Sequence, residues 1–277
     1  MWKESTLRNN LGKAAKKYGL RMPQIQLLLC QERFLMRLYS LEEGRRFIWK
    51  GGSLILRLYP YLEQPRFTVD LDLLAQGFML SKTAGLFKEA VKLNLADGFS
   101  YGEITRSEFK RETPYGGDRY EISWRFFNRE QSETLKIDVC AGDTVEPVTV
   151  RSESLLIMPE TEIEMSFLVY PAEYIFAEKL ETAIRFYTGN TRLKDFVDMW
   201  TLIHGQMDLQ TLKEAIRNCF STRHRELNAE VWKVLLHDKT FIEVMERSRT
   251  RKFKHLSVPP VEKMFSDIET FLMTVNP

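Results

Sequence analysis

Hydrophobic positions change their period along this chain, and each change marks an element. Residues 5–18 carry a helical pattern. From Pro23 to Ser40, the residues Ile25, Leu28, Leu29, Phe34, Leu35 and Leu38 recur at helical spacing and predict a second helix. Phe47-Ile48-Trp49 is an apolar lead into Lys50-Gly51-Gly52-Ser53. Leu54, Ile55 and Leu58 then predict a helix that starts just after the glycines, closed by Pro60 and Pro65. The period drops to two over Phe67 to Leu74. There Phe67, Val69, Leu71 and Leu73 alternate with Thr68, Asp70, Asp72 and Leu74, as in a strand with one apolar face. Residues 81–95 read as a helix. Three further strands are predicted over Glu103–Arg111, Arg119–Phe127 and Thr134–Cys140, and the turn residues Pro114 to Asp118 join the first two as a hairpin.

From Pro171 onward the pattern is helical throughout, over residues 172–187, 193–204, 209–220, 226–235, 238–247 and 259–274. The expected architecture is therefore α+β. A mixed β-sheet with flanking helices, preceded by N-terminal helices, occupies residues 1–155, and a helical region occupies residues 156–277. Val145-Glu146-Pro147 and Met158-Pro159-Glu160 punctuate the junction.

Composition narrows the class without naming a function. The 277 residues are 44% hydrophobic and 28% charged, which fits a globular chain with a sizeable core. The net charge is +2, so any nucleic-acid contact must come from local basic patches rather than a global field. Cys30, Cys140 and Cys219 form no CxxC pair, which fits a reducing cytoplasm. No apolar run has the length of a signal peptide or a membrane span, so a cytoplasmic protein without a membrane partner is expected. His204, His224, His237 and His255 show no metal-ligand spacing.

Candidate chemistry centres on carboxylates. Asp70 and Asp72, two residues apart on a strand, point to one face. Carboxylates so placed repel each other, and a divalent cation such as magnesium resolves the repulsion. Asp138 alternates with Leu135, Ile137 and Val139 on another strand. Three carboxylates on neighbouring strands would make a two-metal site, one metal holding a triphosphate and the other activating a hydroxyl. The Lys50-Gly51-Gly52-Ser53 turn ahead of a helix could present backbone N–H groups to phosphate oxygens, with the Ser53 hydroxyl as a further donor. It lacks the spacing of a P-loop. Lys179 sits beside the apolar stripe of its helix, and Asp195 and Asp198 share a helix face at i, i+3. Basic clusters lie at Lys13, Lys16, Lys17 and Arg21, at Arg217, Arg223, His224 and Arg225, and at Arg247, Arg249, Arg251, Lys252 and Lys254. The last, with Phe253 to stack on a base, is the favoured RNA contact.

Lys50-Gly51-Gly52-Ser53-Leu54 followed by Arg66-Phe67-Thr68-Val69-Asp70-Leu71-Asp72-Leu73 resembles the AbiEii/AbiGii toxin nucleotidyltransferases of the DNA polymerase β-like superfamily. Glu173 to Leu180 resembles the family's helix ending in A-E-K-L. Arg192 to Met199 resembles its R-x-K-D-x-x-D segment, and Gln31 to Leu38 resembles its first conserved helix. The similarity spans residues 24–204; the loop from Ser53 to Asp70 is somewhat longer than is usual there. The resemblance implies magnesium-dependent, pyrophosphate-releasing transfer of a nucleotide from an NTP, by the toxin of a bacterial toxin–antitoxin or phage-defence system. It implies an RNA acceptor, tRNA in particular, and a cognate antitoxin as a partner. In family terms Gly52 and Ser53 would hold phosphates, Asp70 and Asp72 metal, Lys179 the phosphates of the nucleotide, and Asp198 would be the late acid of the site, with Asp195 its competitor; the reading of the residues above adds Gly51 to the phosphate turn and Asp138 to the metal ligands. Two rival readings remain: transfer to a small molecule or a protein hydroxyl, and a nucleotide- or RNA-binding module without catalysis.

Overall fold

Seven strands, four of them at or near segments predicted above, assemble into one mixed sheet in the computed structural model. The structure describes residues 3–58, 66–108, 116–127, 132–142, 145, 146, 148–151, 165–186, 189, 192–225, 229–253 and 257–276. They divide into two compact units, Met1–Tyr170 and Pro171–Pro277.

In the first unit the strands are β1 (Phe47–Lys50), β2 (Asp70–Ala75), β3 (Phe99–Glu108), β4 (Gly117–Phe126), β5 (Glu133–Cys140), β6 (Val148–Arg151) and β7 (Ser166–Val169). Their order across the sheet is β3-β4-β5-β2-β1-β7-β6. The pairs β3–β4, β4–β5, β1–β2 and β6–β7 are antiparallel, whereas β2–β5 and β1–β7 are parallel. Helices α1 (Glu4–Tyr18), α2 (Met22–Tyr39), α3 (Gly51–Leu58) and α4 (Thr83–Ala90) belong to the same unit.

Aromatic contacts pin α2 and α4 to the apolar face of the sheet. Phe87 meets Phe34 at 5.1 Å, Phe47 at 5.8 Å and Tyr120 at 4.9 Å. Helix α2 is buried on nearly every side, which forces its charged residues into pairs. Arg33 and Arg37 both donate to Asp97, at 2.7 and 2.8 Å, and Arg57 of α3 donates to Glu32 at 3.2 Å. Burial pushes the Asp97 carboxyl up, but the two guanidiniums outweigh it and hold it below the usual carboxylate range. The Tyr39 hydroxyl donates to the Phe47 carbonyl and accepts from Leu168 N–H at 3.2 Å, tying α2 to β1 and β7.

The structure departs from the pattern in several places: α3 already begins at Gly51, β3 begins at Phe99 rather than Glu103, and α4 covers only Thr83–Ala90 of residues 81–95. The predicted strand over Phe67–Leu74 begins only at Asp70. Gln31 donates to the Val69 carbonyl at 3.2 Å, and Arg66 lies against Gly52, so residues 66–69 follow the helices and Val69 is exposed. Strand β1 is buried at all four residues and too short to show a period. The sheet also claims β6 and β7, and so the first unit runs to Tyr170 rather than to residue 155. Pro60, Pro65, Pro114, Pro147 and Met158-Pro159-Glu160 lie outside the described residues.

The second unit holds α5 (Ala172–Phe186), α6 (Leu193–Ile203), α7 (Leu209–Thr222), α8 (Ala229–His237), α9 (Lys239–Lys252) and α10 (Val261–Val275). Phe196, Phe241 and Phe265 form its aromatic centre, at 4.8 to 5.8 Å between rings. Asp208 and Asp238 cap α7 and α9 by accepting from the N–H groups of Thr211 and Phe241. Among the described residues, no helix is long and apolar enough to cross a membrane.

Candidate active site

Strand register builds a row of charges across the polar face of the sheet. Arg119 of β4 stands opposite Asp138 of β5, Asp138 opposite Asp72 of β2, and Asp72 opposite Lys50 of β1. Two residues along, Glu121, Lys136 and Asp70 form a second row. Registered neighbours share a face, so all seven side chains emerge on the side away from Leu71, Leu73, Ile137 and Tyr120. Asp70 and Asp72 are partly exposed, while the residues between and after them are buried.

Two of these registered pairs are ion pairs: Arg119 with Asp138, and Lys136 with Glu121. Arg119 donates to both oxygens of Asp138, at 2.7 and 2.8 Å, the parallel fork that guanidinium and carboxylate geometry favours. The Asp138 carboxylate in turn raises the pKa of Arg119 above its ordinary value. Lys136 reaches Glu121 at 3.6 Å. Lys50 is buried, and its ammonium lies 4.4 Å from the centre of the Tyr170 ring.

Close approach and a left-handed backbone require glycine at 51, whereas at 52 a side chain would press on the movable end of Arg66. Gly51 has φ +76°, and a Cβ there would meet Asp72 Oδ2 at 2.0 Å. A Cβ on Gly52 would meet the Arg66 guanidinium at 2.4 Å. The turn therefore packs its backbone onto the Asp72 carboxylate, and the first N–H groups of α3 have no carbonyl within the helix to bond. Ser53 differs from the expectation of a phosphate donor. Its side chain is fully buried and accepts from Trp49 Nε1 at 2.9 Å, which turns the hydroxyl into the core and leaves the backbone N–H as its means of contact.

The second unit carries its own cluster. Lys179 of α5 reaches Asp198 Oδ2 at 2.6 Å and Asp195 Oδ1 at 3.2 Å, and Arg192 donates to the other Asp195 oxygen at 2.7 Å. Both aspartates are buried on α6. Burial pushes the Asp195 carboxyl up, but Lys179 and Arg192 outweigh it and hold it below the usual range. Asp195 and Asp198 thus both engage Lys179.

The basic clusters separate into structural and open parts. Arg223 and Arg225 face the buried Glu181 at 3.3 and 3.2 Å, so they neutralise a core carboxylate rather than forming a free patch. Arg249 donates to both oxygens of Glu246, which also accepts from Val261 N–H at the start of α10. By contrast, Arg247, Arg251 and Lys252 are exposed and line, with Ser248 and Val244, a cavity of about 300 Å³. Lys254 and His255 lie outside the described residues.

Sequence patterning missed Arg119, Lys50 and Arg192 as members of these clusters. The first two emerge only once the strands are in register. Arg192 stands in the segment that resembles the R-x-K-D-x-x-D motif, so its signal was present.

The sequence profile of the family described as nucleotidyl transferase AbiEii toxin, type IV toxin–antitoxin system, matches residues 33–271. The fold resembles that of JHP933 from Helicobacter pylori, at a TM-score of 0.51 and 15% identity, over 90% of this chain and 91% of that one. A proposed nucleotidyltransferase from H. pylori, also 15% identical, aligns at a TM-score of 0.40 over 89% of this chain and 96% of its own. No curated protein matches the sequence.

Proposed function

The chain belongs to the family of AbiEii nucleotidyl transferase toxins of type IV toxin–antitoxin systems, and from that premise we propose that it transfers a nucleotide from an NTP to RNA, tRNA in particular. It is a nucleotidyltransferase; the acceptor, the metal and the residues that do the chemistry are our assignment. The observation that carries the assignment is the pair Asp70 and Asp72, same-faced on β2, with the Gly51 backbone lying on the Asp72 carboxylate.

The donor set fits a divalent cation held weakly by the two carboxylates alone and more tightly as magnesium together with nucleotide. Among the described residues, no group of three or more His, Cys, Asp and Glu is arranged to hold a metal on its own. Magnesium, however, is commonly held by one or two carboxylates plus substrate phosphates. Asp70 and Asp72 are two such carboxylates, side by side and partly exposed. The chemistry that magnesium supplies when bound is neutralisation of the triphosphate and of the charge that develops on the pyrophosphate leaving group.

The chain's own residues would do the rest. Gly51, Gly52 and Ser53 offer backbone N–H groups to phosphate oxygens at the start of α3. Lys179, held by Asp195 and Asp198, carries a charge for the phosphates of the nucleotide. Asp138 would complete the metal site and help orient or deprotonate the attacking 3′-hydroxyl. The hydroxyl oxygen then forms the new P–O bond, and the bond to pyrophosphate breaks. Positioning and charge neutralisation carry most of the rate in such a reaction.

Arg247, Arg251 and Lys252 form the basic surface that suits an RNA backbone. The cognate antitoxin of the system is a further partner, and phage defence is the setting in which such a toxin would act. The acceptor is tested by incubating the protein with total tRNA, each α-labelled NTP in turn, and magnesium. Label on tRNA is expected; label on protein or on a small hydroxyl compound instead would overturn the RNA assignment.

A further inference from the structure

We propose that Arg119 is a latch on the third carboxylate: it holds Asp138 out of the cation site until a triphosphate arrives and takes the guanidinium away. The proposal rests on the assignment of Asp70 and Asp72 as cation ligands.

Register sets the problem that the latch solves. Asp138 and Asp72 stand directly opposite each other on parallel strands, with Asp70 two residues along the same face. Three carboxylates in that arrangement need neighbouring positive charge whenever no cation is bound. Arg119, directly opposite Asp138 on the other side, provides it with a two-pronged pair at 2.7 and 2.8 Å. The pair occupies both oxygens of Asp138, and no three-carboxylate group poised for a metal exists among the described residues.

The two partners differ in freedom. The Asp138 side chain is 11% exposed and fixed by its strand, whereas the Arg119 side chain is 37% exposed. Arg119 is therefore the partner able to swing. The fork that fits a carboxylate also fits a phosphate, and a triphosphate carries more negative charge than one aspartate. When Arg119 turns to the phosphates, Asp138 loses its counter-charge in a mostly buried position, and a divalent cation next to Asp70 and Asp72 becomes its replacement. Full assembly of the site is then ordered: nucleotide first, third carboxylate second. No bond is made or broken in this step; one ion pair is exchanged for two others.

The test uses manganese alone and inorganic tripolyphosphate alone, each titrated against the full chain by calorimetry. Arg119→Gln is expected to bind manganese about tenfold more tightly than wild type, because Asp138 is released, and tripolyphosphate about tenfold more weakly. Arg119→Gln combined with Asp138→Asn is expected to lose the gain in manganese affinity. Arg119→Lys, which keeps the charge without the fork and guards against misfolding, is expected to fall between wild type and Arg119→Gln on both titrations. If Arg119 is merely a structural strut, Arg119→Gln will melt earlier with both affinities unchanged, and the latch is overturned. Asp72→Asn separates the two levels. Loss of manganese binding in Asp72→Asn with no change in Arg119→Gln overturns the latch and leaves the cation assignment standing. Manganese binding that ignores Asp72→Asn overturns both.

Discussion

The row on the sheet and the cluster on α5 and α6 use the same residue types under opposite constraints. On the sheet, Arg119, Asp138, Asp72 and Lys50 stand side by side because four strands are in register, and like charges end up as neighbours. Asp70 and Asp72 stay partly exposed, facing outward from a core that needs neither. On the helices, Lys179 is enclosed by Asp195 and Asp198, both buried, and Arg192 closes the remaining oxygen of Asp195. The first arrangement is partly exposed and open to a ligand. The second is already complete and gains from staying intact. Substitutions on the sheet should therefore act on binding chemistry with little change in stability, whereas substitutions in the helix cluster should act on stability and, in the proposed function, on the nucleotide through Lys179.

The largest effect on stability is expected from Lys179→Met. Removing it leaves two buried carboxylates facing each other, at a cost of about 3 kcal/mol in the unfolding free energy, read by urea denaturation. Nucleotide transfer should fall about a hundredfold as well, even at temperatures where the variant is folded. An unchanged unfolding midpoint would show that the helix cluster is not the closed network described above.

Gly51→Ala comes next. The new methyl group would need the space of the Asp72 carboxylate in a left-handed backbone conformation. A loss of about 2 kcal/mol is expected, together with loss of NTP binding in the same variant. Normal NTP affinity in a folded Gly51→Ala protein would detach the glycine turn from the carboxylate row.

Acid titration sharpens the contrast from a third side. The Asp195 pKa is depressed in the folded state, so its contribution to stability is present above its unfolded value near 4 and lost as pH falls toward the folded value. Unfolding followed at pH 7 and at pH 3 should therefore show wild type losing about 1 kcal/mol more than Asp195→Asn. Equal losses would mean that Lys179 and Arg192 do not hold this carboxyl.

The smallest effects lie on α9. Arg249→Ala breaks the pair with Glu246 and should cost about 0.5 kcal/mol with RNA affinity little changed. Arg251→Glu should leave thermal stability unchanged while weakening tRNA binding about tenfold in a filter assay. The reverse outcome would exchange the structural and RNA-binding roles of these two arginines.

Sequence alone made part of this legible. The two-residue spacing of Asp70 and Asp72 within an alternating run places both on one face whatever the strand pairs with, and Asp138 announces itself by the same alternation. Helices α1, α2 and α5 to α10 follow from apolar periods long enough to read. What stayed hidden depends on register or on tertiary choice. Nothing in β4 by itself shows that Arg119 faces Asp138, because a one-residue slip would send Arg119 to the other face. The inward turn of Ser53 is decided by the Trp49 indole four residues earlier. Arg223 and Arg225 resemble a basic patch until Glu181 is found buried beneath them. Strands β1, β6 and β7 have four residues each, too few for a period.

The central claim is that Asp70 and Asp72 hold the cation on which nucleotide transfer depends. It is tested most directly by comparing wild type with Asp72→Asn for magnesium-dependent transfer of an α-labelled nucleotide to tRNA, with melting temperatures measured on the same preparations. The account predicts a loss of about a thousandfold in transfer, with the melting temperature within about 4 °C of wild type. Transfer by folded Asp72→Asn at the wild-type rate would contradict it.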